Sequence, residues 1–308
     1  MRIGWLLWLT LAALAAGGCS VRRFAVNQVG NAISSGGSTY ESDEDVELVG
    51  SALPFSLKLV ESLLEDSPKH RGLLLTAASG FAEYAYAYVE EQADEEAAAS
   101  LDRSTALRAR ARRLYLRGYR YGMRGLEAAY PGLGPALQDA PAAALARVKK
   151  RDVPLLYWTA AAHGLAISAS KDDPEMIAQL PEVEAMVNRA SQLDESWNAG
   201  ALPEFLISVE SSRAGAKAAD QQERMRRLFD RSQALSGGKR AGIYVTYAEK
   251  AMVPAQDRAQ FKALLEKALA VDPDREPQAR LANLIAQRRA RWLLGRMDEL
   301  FLEGGADR

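Results

Sequence analysis

Few side chains in this sequence have the chemistry to attack a bond, move a proton or hold a metal. There is one cysteine, Cys19, and two histidines, His70 and His163, among 308 residues. A typical zinc site takes four Cys, His or acidic ligands, and two isolated histidines do not build one. His70 lies in the turn DSPKHRG and reads as solvated. His163 lies in WTAAAHGLAIS and reads as a hydrogen-bonded core histidine, with ligand contact as the other possibility. SGGKRAG has the composition of a phosphate loop. However, Arg240 follows Lys239 where Ser or Thr is needed, and no glycine stands five residues before Gly238. There is no Gly-x-Ser-x-Gly elbow. The expectation is a non-enzyme with no catalytic residue, no cofactor and no metal.

What remains is binding chemistry. In SGFAEYAYAYVEE, a helix puts Phe81, Tyr84 and Tyr88 on one face and Tyr86 nearly opposite. Aromatic rings on both sides fit either core packing on two surfaces or a lined cavity. Arg108, Arg112, Arg113, Arg117 and Arg120 fall between Arg103 and Arg124, with no acid among them and Tyr115, Tyr119 and Tyr121 interleaved. They read either as a solvated, salt-bridged face or as guanidinium forks that steer an acidic partner or a carboxylate. In RLANLIAQRRARWLLGR, Arg288 falls within an apolar stripe, and Asn283, Gln287 and Arg291 form a polar row beside it. That row reads as a polar pore lining or as buried caps. Tyr84, Tyr88, Trp158, Asn283, Arg288 and Arg291 are the candidate ligand or pore-lining residues.

The ends of the chain place these groups. Met1-Arg2 precedes a run from Ile3 to Ala16 with no charge, then Gly17-Gly18-Cys19. Fourteen such residues span about 21 Å as a helix, short of the roughly 30 Å of a hydrocarbon core. The pattern is that of a signal peptide. Small residues immediately before a cysteine resemble the bacterial lipobox, with Ala16 where Leu is commonest. That resemblance implies cleavage before Cys19 and lipidation of its thiol. Ser20, rather than Asp, points to the outer membrane. The organisation expected is a signal peptide over 1–18, a lipidated Gly/Ser-rich tether over 19–42, a helical domain over 43–303 and a tail over 304–308. The net charge of −1 gives no support for nucleic-acid binding.

The domain itself reads as helix after helix, all-α. Ser42 or Asp43 is expected to cap the first. Helices are predicted at about 72–93, 104–130, 153–170, 174–193, 201–213, 220–235, 240–252, 256–270 and 277–302, with breaks at Pro68, Pro131, Pro174, Gly237 and Pro273. RASQLDESW, RSQALSGGK and KALAVDPDR align on Leu193, Leu235 and Val271. Three residues earlier stand the small Ala190, Ser232 and Ala268, and six earlier the large Val187, Phe229 and Leu265. These units resemble degenerate tetratricopeptide repeats with insertions and predict a solenoid. An irregular helical bundle is the alternative.

Several stretches in order, among them GNAISSGGSTYESDEDVELVGSALPFSLKLVE, LLLTAASGFAEYAYAYV, VPLLYWTAAAHGLAISASKDDPEMIAQLPEVEAMVNRA, SGGKRAGIYVTYAE and NLIAQRRARWLL, resemble the T component of tripartite ATP-independent periplasmic (TRAP) transporter systems, the TatT family. The resemblance implies a helical, lipid-anchored periplasmic accessory protein. It also implies docking to an extracytoplasmic solute-binding protein that feeds a permease, and self-association into a homo-oligomeric ring with channels. TRAP ligands are typically carboxylates, and hydrophobic or amphipathic ligands are suspected for this branch. The family has no catalytic residues to carry over. The competing expectation is a general tetratricopeptide-type scaffold lipoprotein for cell-envelope assembly.

Overall fold

The structure is a computed structural model describing residues 26–34, 38–170, 172–213 and 217–302. Among the described residues the regular structure is entirely helical. The first part comprises α1 (26–34), α2 (Ser38–Glu41), α3 (Val46–Asp66) and α4 (Arg71–Tyr84). The last runs through a π-helical stretch, Ala85–Glu90, into α5 (Glu91–Glu96). Then follow α6 (Leu101–Ala129), α7 (Leu133–Asp139), α8 (Pro141–Leu145), α9 (Val153–Ser168), α10 (Pro174–Ile177) and α11 (Leu180–Asp194). The last part holds α12 (Ala201–Ser211), α13 (Ala218–Ser236), α14 (Gly242–Tyr247), a second π stretch Ala248–Met252, α15 (Val253–Ala255), α16 (Arg258–Leu269), α17 (Arg280–Gly295) and α18 (Met297–Leu300). Cys19 and the segment read as a signal peptide lie outside the described residues.

Side chains at the helix starts satisfy the free N–H groups there. Asp45 accepts from Leu48 N at 2.8 Å and opens α3, so the cap is neither Ser42 nor Asp43. His70 Nδ1 accepts from Leu73 N at 3.1 Å and opens α4, so this half-buried histidine is a cap rather than a solvated turn residue. Ser100 opens α6 and Asp257 opens α16 in the same way. Gly237, at φ +58°, ends α13 in the left-handed region that glycine adopts without strain. Within the expected tether, Asn27 Oδ1 accepts from Ser67 Oγ at 2.6 Å, fastening α1 to the end of α3.

The longest helix, α6, packs against α4 and α9. Glycines and alanines make this approach close. A Cβ on Gly118 would sit 2.9 Å from the Ala78 carbonyl oxygen. One on Gly122 would strike Thr159 Oγ1 and lie 2.9 Å from Thr159 Cβ. Thr159 cannot swing aside freely, because its hydroxyl donates to Leu155 O at 2.6 Å. The small residues of the aligned stretches, Ala190, Ser232 and Ala268, are all fully buried, and Ser232 Oγ donates to Gly200 O at 2.7 Å.

Charge pairs knit the helices where apolar contact is thin. Glu61, on α3, accepts from Arg117 Nε at 2.5 Å, Tyr121 OH at 2.7 Å and Lys58 Nζ at 2.8 Å. Arg289, on α17, reaches Asp94 at 2.7 Å and Glu249 at 2.7 Å, and its guanidinium lies 4.3 Å from the Trp292 ring centre. Arg288 reaches Glu91 at 2.9 Å and Ala87 O at 2.6 Å. Through these two arginines α17 joins α5, nearly 200 residues earlier, to the π stretch after α14. Breaking such a partly buried pair from one side costs about 3–5 kcal/mol.

A ligand-sized cavity under α17

α17 roofs a cavity of about 270 Å³ whose walls come from α2, α3, the π stretch after α4, α9, α12 and α14. Val49, Leu53, Leu281 and Ile285 give it apolar surface; Tyr40, Tyr86, Tyr88 and Trp158 give it aromatic rings. Two smaller voids, about 200 and 120 Å³, share Tyr86 and Thr246 with it. Tyr86 therefore stands at the junction of all three. It is 41% exposed and lines all three voids. Burial, reinforced by Glu249 and Glu91, pushes its hydroxyl well above the usual tyrosine range. The π stretch puts Tyr86 there. One extra residue per turn breaks the helical phase between Tyr84 and Glu91.

Four acids line the main cavity: Glu41, Glu83, Glu91 and Glu204. Glu204 is held by Arg240 at 3.3 Å and by Thr246 Oγ1 at 3.3 Å. Arg240 itself is fixed by Asn198 O at 3.1 Å and Asn198 Oδ1 at 3.0 Å. Asn198 begins a left-handed run, Asn198, Ala199 and Gly200, that turns the chain into α12. Glu91 is paired with Arg288, yet burial still raises its carboxyl to about 7. Glu83 has no basic partner among the described residues; its side chain keeps exposed surface, while the pocket walls first, and the neighbouring Glu41 second, push its carboxyl upward. Burial raises Glu41 as well.

The candidate lining residues divide. Tyr88, Trp158 and Asn283 face the cavity. Tyr88 OH donates to Val46 O at 3.0 Å, and Asn283 is spent on the backbone, accepting from Ala241 N at 2.9 Å and donating to Lys239 O at 2.9 Å. Gln287, next in the same row, donates to Val271 O at 2.7 Å and satisfies the end of α16. Tyr84 lies behind the wall, stacked on Tyr88 at 5.7 Å and bonded to Arg110. Arg288 sits over Tyr88 and holds Glu91, and Arg291 is exposed on the outer face of α17. On α6, Arg108 pairs with Asp94, Arg112 with Asp173 and Arg117 with Glu61, each an acid of this chain. Arg113 and Arg120 make no ion pair among the described residues; Arg120 borders an open groove with Lys69 and Arg124.

Glu41, Glu83, Glu204 and Arg240 belong to the site but not to the residues picked from sequence. The signal for Tyr86 was its position opposite its neighbours. Glu83 carried none, since one acid in an amphipathic helix is ordinary. His163 is fully buried, with Nε2 2.9 Å from Gln179 Oε1 and its ring stacked on Tyr119 at 4.0 Å; burial lowers it to about 4, so it is a neutral core group. Among the described residues no cluster of His, Cys, Asp and Glu is placed to hold a metal, and no helix is long and apolar enough to cross a membrane.

The described residues are all-helical and line a pocket with aromatic and apolar surface. The chain belongs to the TRAP transporter T-component family, whose model matches residues 42–301. An uncharacterized protein of Treponema pallidum (strain Nichols) is 28% identical over 314 residues, which cover 95% of this chain and 96% of that one. Membership makes the chain a component of a TRAP transport system and points to an envelope location and a transport role rather than a catalytic one.

Proposed function

We propose that this chain is a lipid-anchored, extracytoplasmic accessory component of a TRAP-type uptake system. It docks a solute-binding protein, and its cavity receives an amphipathic or small organic ligand on the way to the permease. Cys19 is the proposed lipid attachment point, the outer membrane the proposed site, and a homo-oligomer of degenerate tetratricopeptide-like solenoids the proposed working form. The observation that carries the reading is the cavity under α17. It is a partly open, largely apolar pocket, close in size to the roughly 300–1,000 Å³ of small-molecule sites, with polar groups held in fixed positions. Arg113 and Arg120, which make no ion pair among the described residues, are the proposed contacts for an acidic partner surface.

Affinity capture with the tethered chain tests the docking. A TRAP solute-binding protein should be enriched over a control lipoprotein, and Arg113→Glu with Arg120→Glu should reduce its recovery. Equal recovery on the control would refute docking. Native mass spectrometry of the Cys19→Ser protein prepared without detergent reads subunit number and any retained ligand together; a bare monomer would refute both the oligomer and the retained ligand.

A further inference from the structure

The charges around the cavity do not balance. Of its basic side chains, Arg240 is committed to Glu204, and Arg289 to Asp94 and Glu249. Glu91 is taken by Arg288. That leaves Glu41 and Glu83 on the same wall with no cation in reach among the described residues. Both acids keep exposed surface, yet two unpaired carboxyls set side by side against an apolar and aromatic wall still gain from losing a charge or from gaining a cation. The upward push on the Glu83 carboxyl, to which Glu41 contributes, is the first of these. A bound cation would supply the second.

The rest of the lining suits the same ligand. Tyr40, Tyr86, Tyr88 and Trp158 surround the space, and aromatic faces attract a desolvated cation. Tyr40 OH is bonded to Ser56 Oγ at 2.6 Å and Tyr88 OH to Val46 O, so these rings are held in place and their hydroxyls are occupied. An organic carboxylate would face two acids here and find both arginines already engaged.

We propose that the cavity under α17 selects an amphipathic cation, a protonated amine on an apolar body, with Glu41 and Glu83 as its counter-charge and the four aromatic rings as its walls. This rests on the cavity being a ligand site, as proposed above, and narrows the ligand class. The ammonium sits at the Glu41–Glu83 end and the apolar body extends beneath α17 toward Leu281 and Ile285.

Calorimetric titration of the Cys19→Ser chain from residue 19 onward, without detergent, separates the possibilities. The probes are octylammonium, octanol and octanoate, which share one chain and differ in charge. Octylammonium should bind about tenfold more tightly than octanol or better, since even one partly shielded ion pair is worth that much. Octanoate should bind most weakly. Glu83→Gln and Glu41→Gln, which change little volume, should each reduce the preference for octylammonium several-fold and leave octanol binding unchanged. Equal binding of octylammonium and octanol, or a preference for octanoate, overturns the charge selection and leaves the ligand cavity standing. Binding of none of the three overturns the ligand cavity as well.

Discussion

Replacing Asn283 by alanine distinguishes a brace from a lining residue. Asn283 is 2% exposed, and both its polar atoms hold the turn before α14: Oδ1 takes the Ala241 N–H and Nδ2 donates to the Lys239 carbonyl. Ala241 is fully buried, so its N–H would have no water to turn to. Losing two hydrogen bonds costs about 1 kcal/mol each, and leaving a buried donor unpaired adds roughly 1–3 kcal/mol. The expected loss is about 3 kcal/mol, or a fall in melting temperature of roughly 6–12 °C for a domain of this size. The same turn carries Arg240, so the Arg240–Glu204 pair should loosen too. Thermal unfolding followed by circular dichroism reads the first effect, and Arg291→Ala, on the exposed face of the same helix, is the control with little change. A loss below about 1 kcal/mol would refute the bracing role.

Other perturbations follow from the packing and the titrating groups. His163 is lowered from 6.5 to about 4 by burial, so its contribution is fully present above pH 6.5 and lost as pH falls through about 4. The difference corresponds to roughly 3 kcal/mol; urea midpoints measured from pH 7.5 to 4 should show a slope that flattens in His163→Gln. Gly122→Ala drives a methyl group into Thr159 and should destabilise by about 1–3 kcal/mol, whereas alanine at Gly295, which has open space around it, should cost little. Ala199→Gly relieves an alanine at φ +47° and should stabilise by about 1 kcal/mol in the same assay. Glu61→Ala strands Arg117 and Tyr121 between α3 and α6, and its destabilisation should exceed that of Glu299→Ala, an exposed i,i+3 partner of Arg296.

Much of the helical order follows from local signals. Pro174, Gly237 and Pro273 stop or start helices where expected, because these residues act on their own backbone whatever surrounds them. The helices α7 and α8 escaped notice, being short and crossed by Gly134, Pro135 and Pro141. In the site, Tyr88, Trp158 and Asn283 were legible from residue type, but the task of Asn283 was not: its partners lie more than 40 residues away. The arginine run was visible as charge, yet Arg112 finds Asp173 across 61 residues of sequence. Composition cannot say which cations are already answered. Glu83 was hidden for the converse reason, since among the described residues it has no basic partner to mark it.

The π stretch after α4 also sets a rule about chain length. Deleting one residue from Ala85–Glu90 would restore the ordinary i to i−4 ladder and turn everything beyond it by about 100°. Glu91 and Asp94 would then swing away from Arg288 and Arg289, and the wall holding Tyr86 would close or gape. Substitutions in this segment alter the cavity one side chain at a time, whereas a change in length unfastens the roof. Related chains that keep the cavity should therefore keep the residue count between Tyr84 and Glu91 even where the letters differ, and a one-residue gap there would mark a chain in which the cavity has been rebuilt.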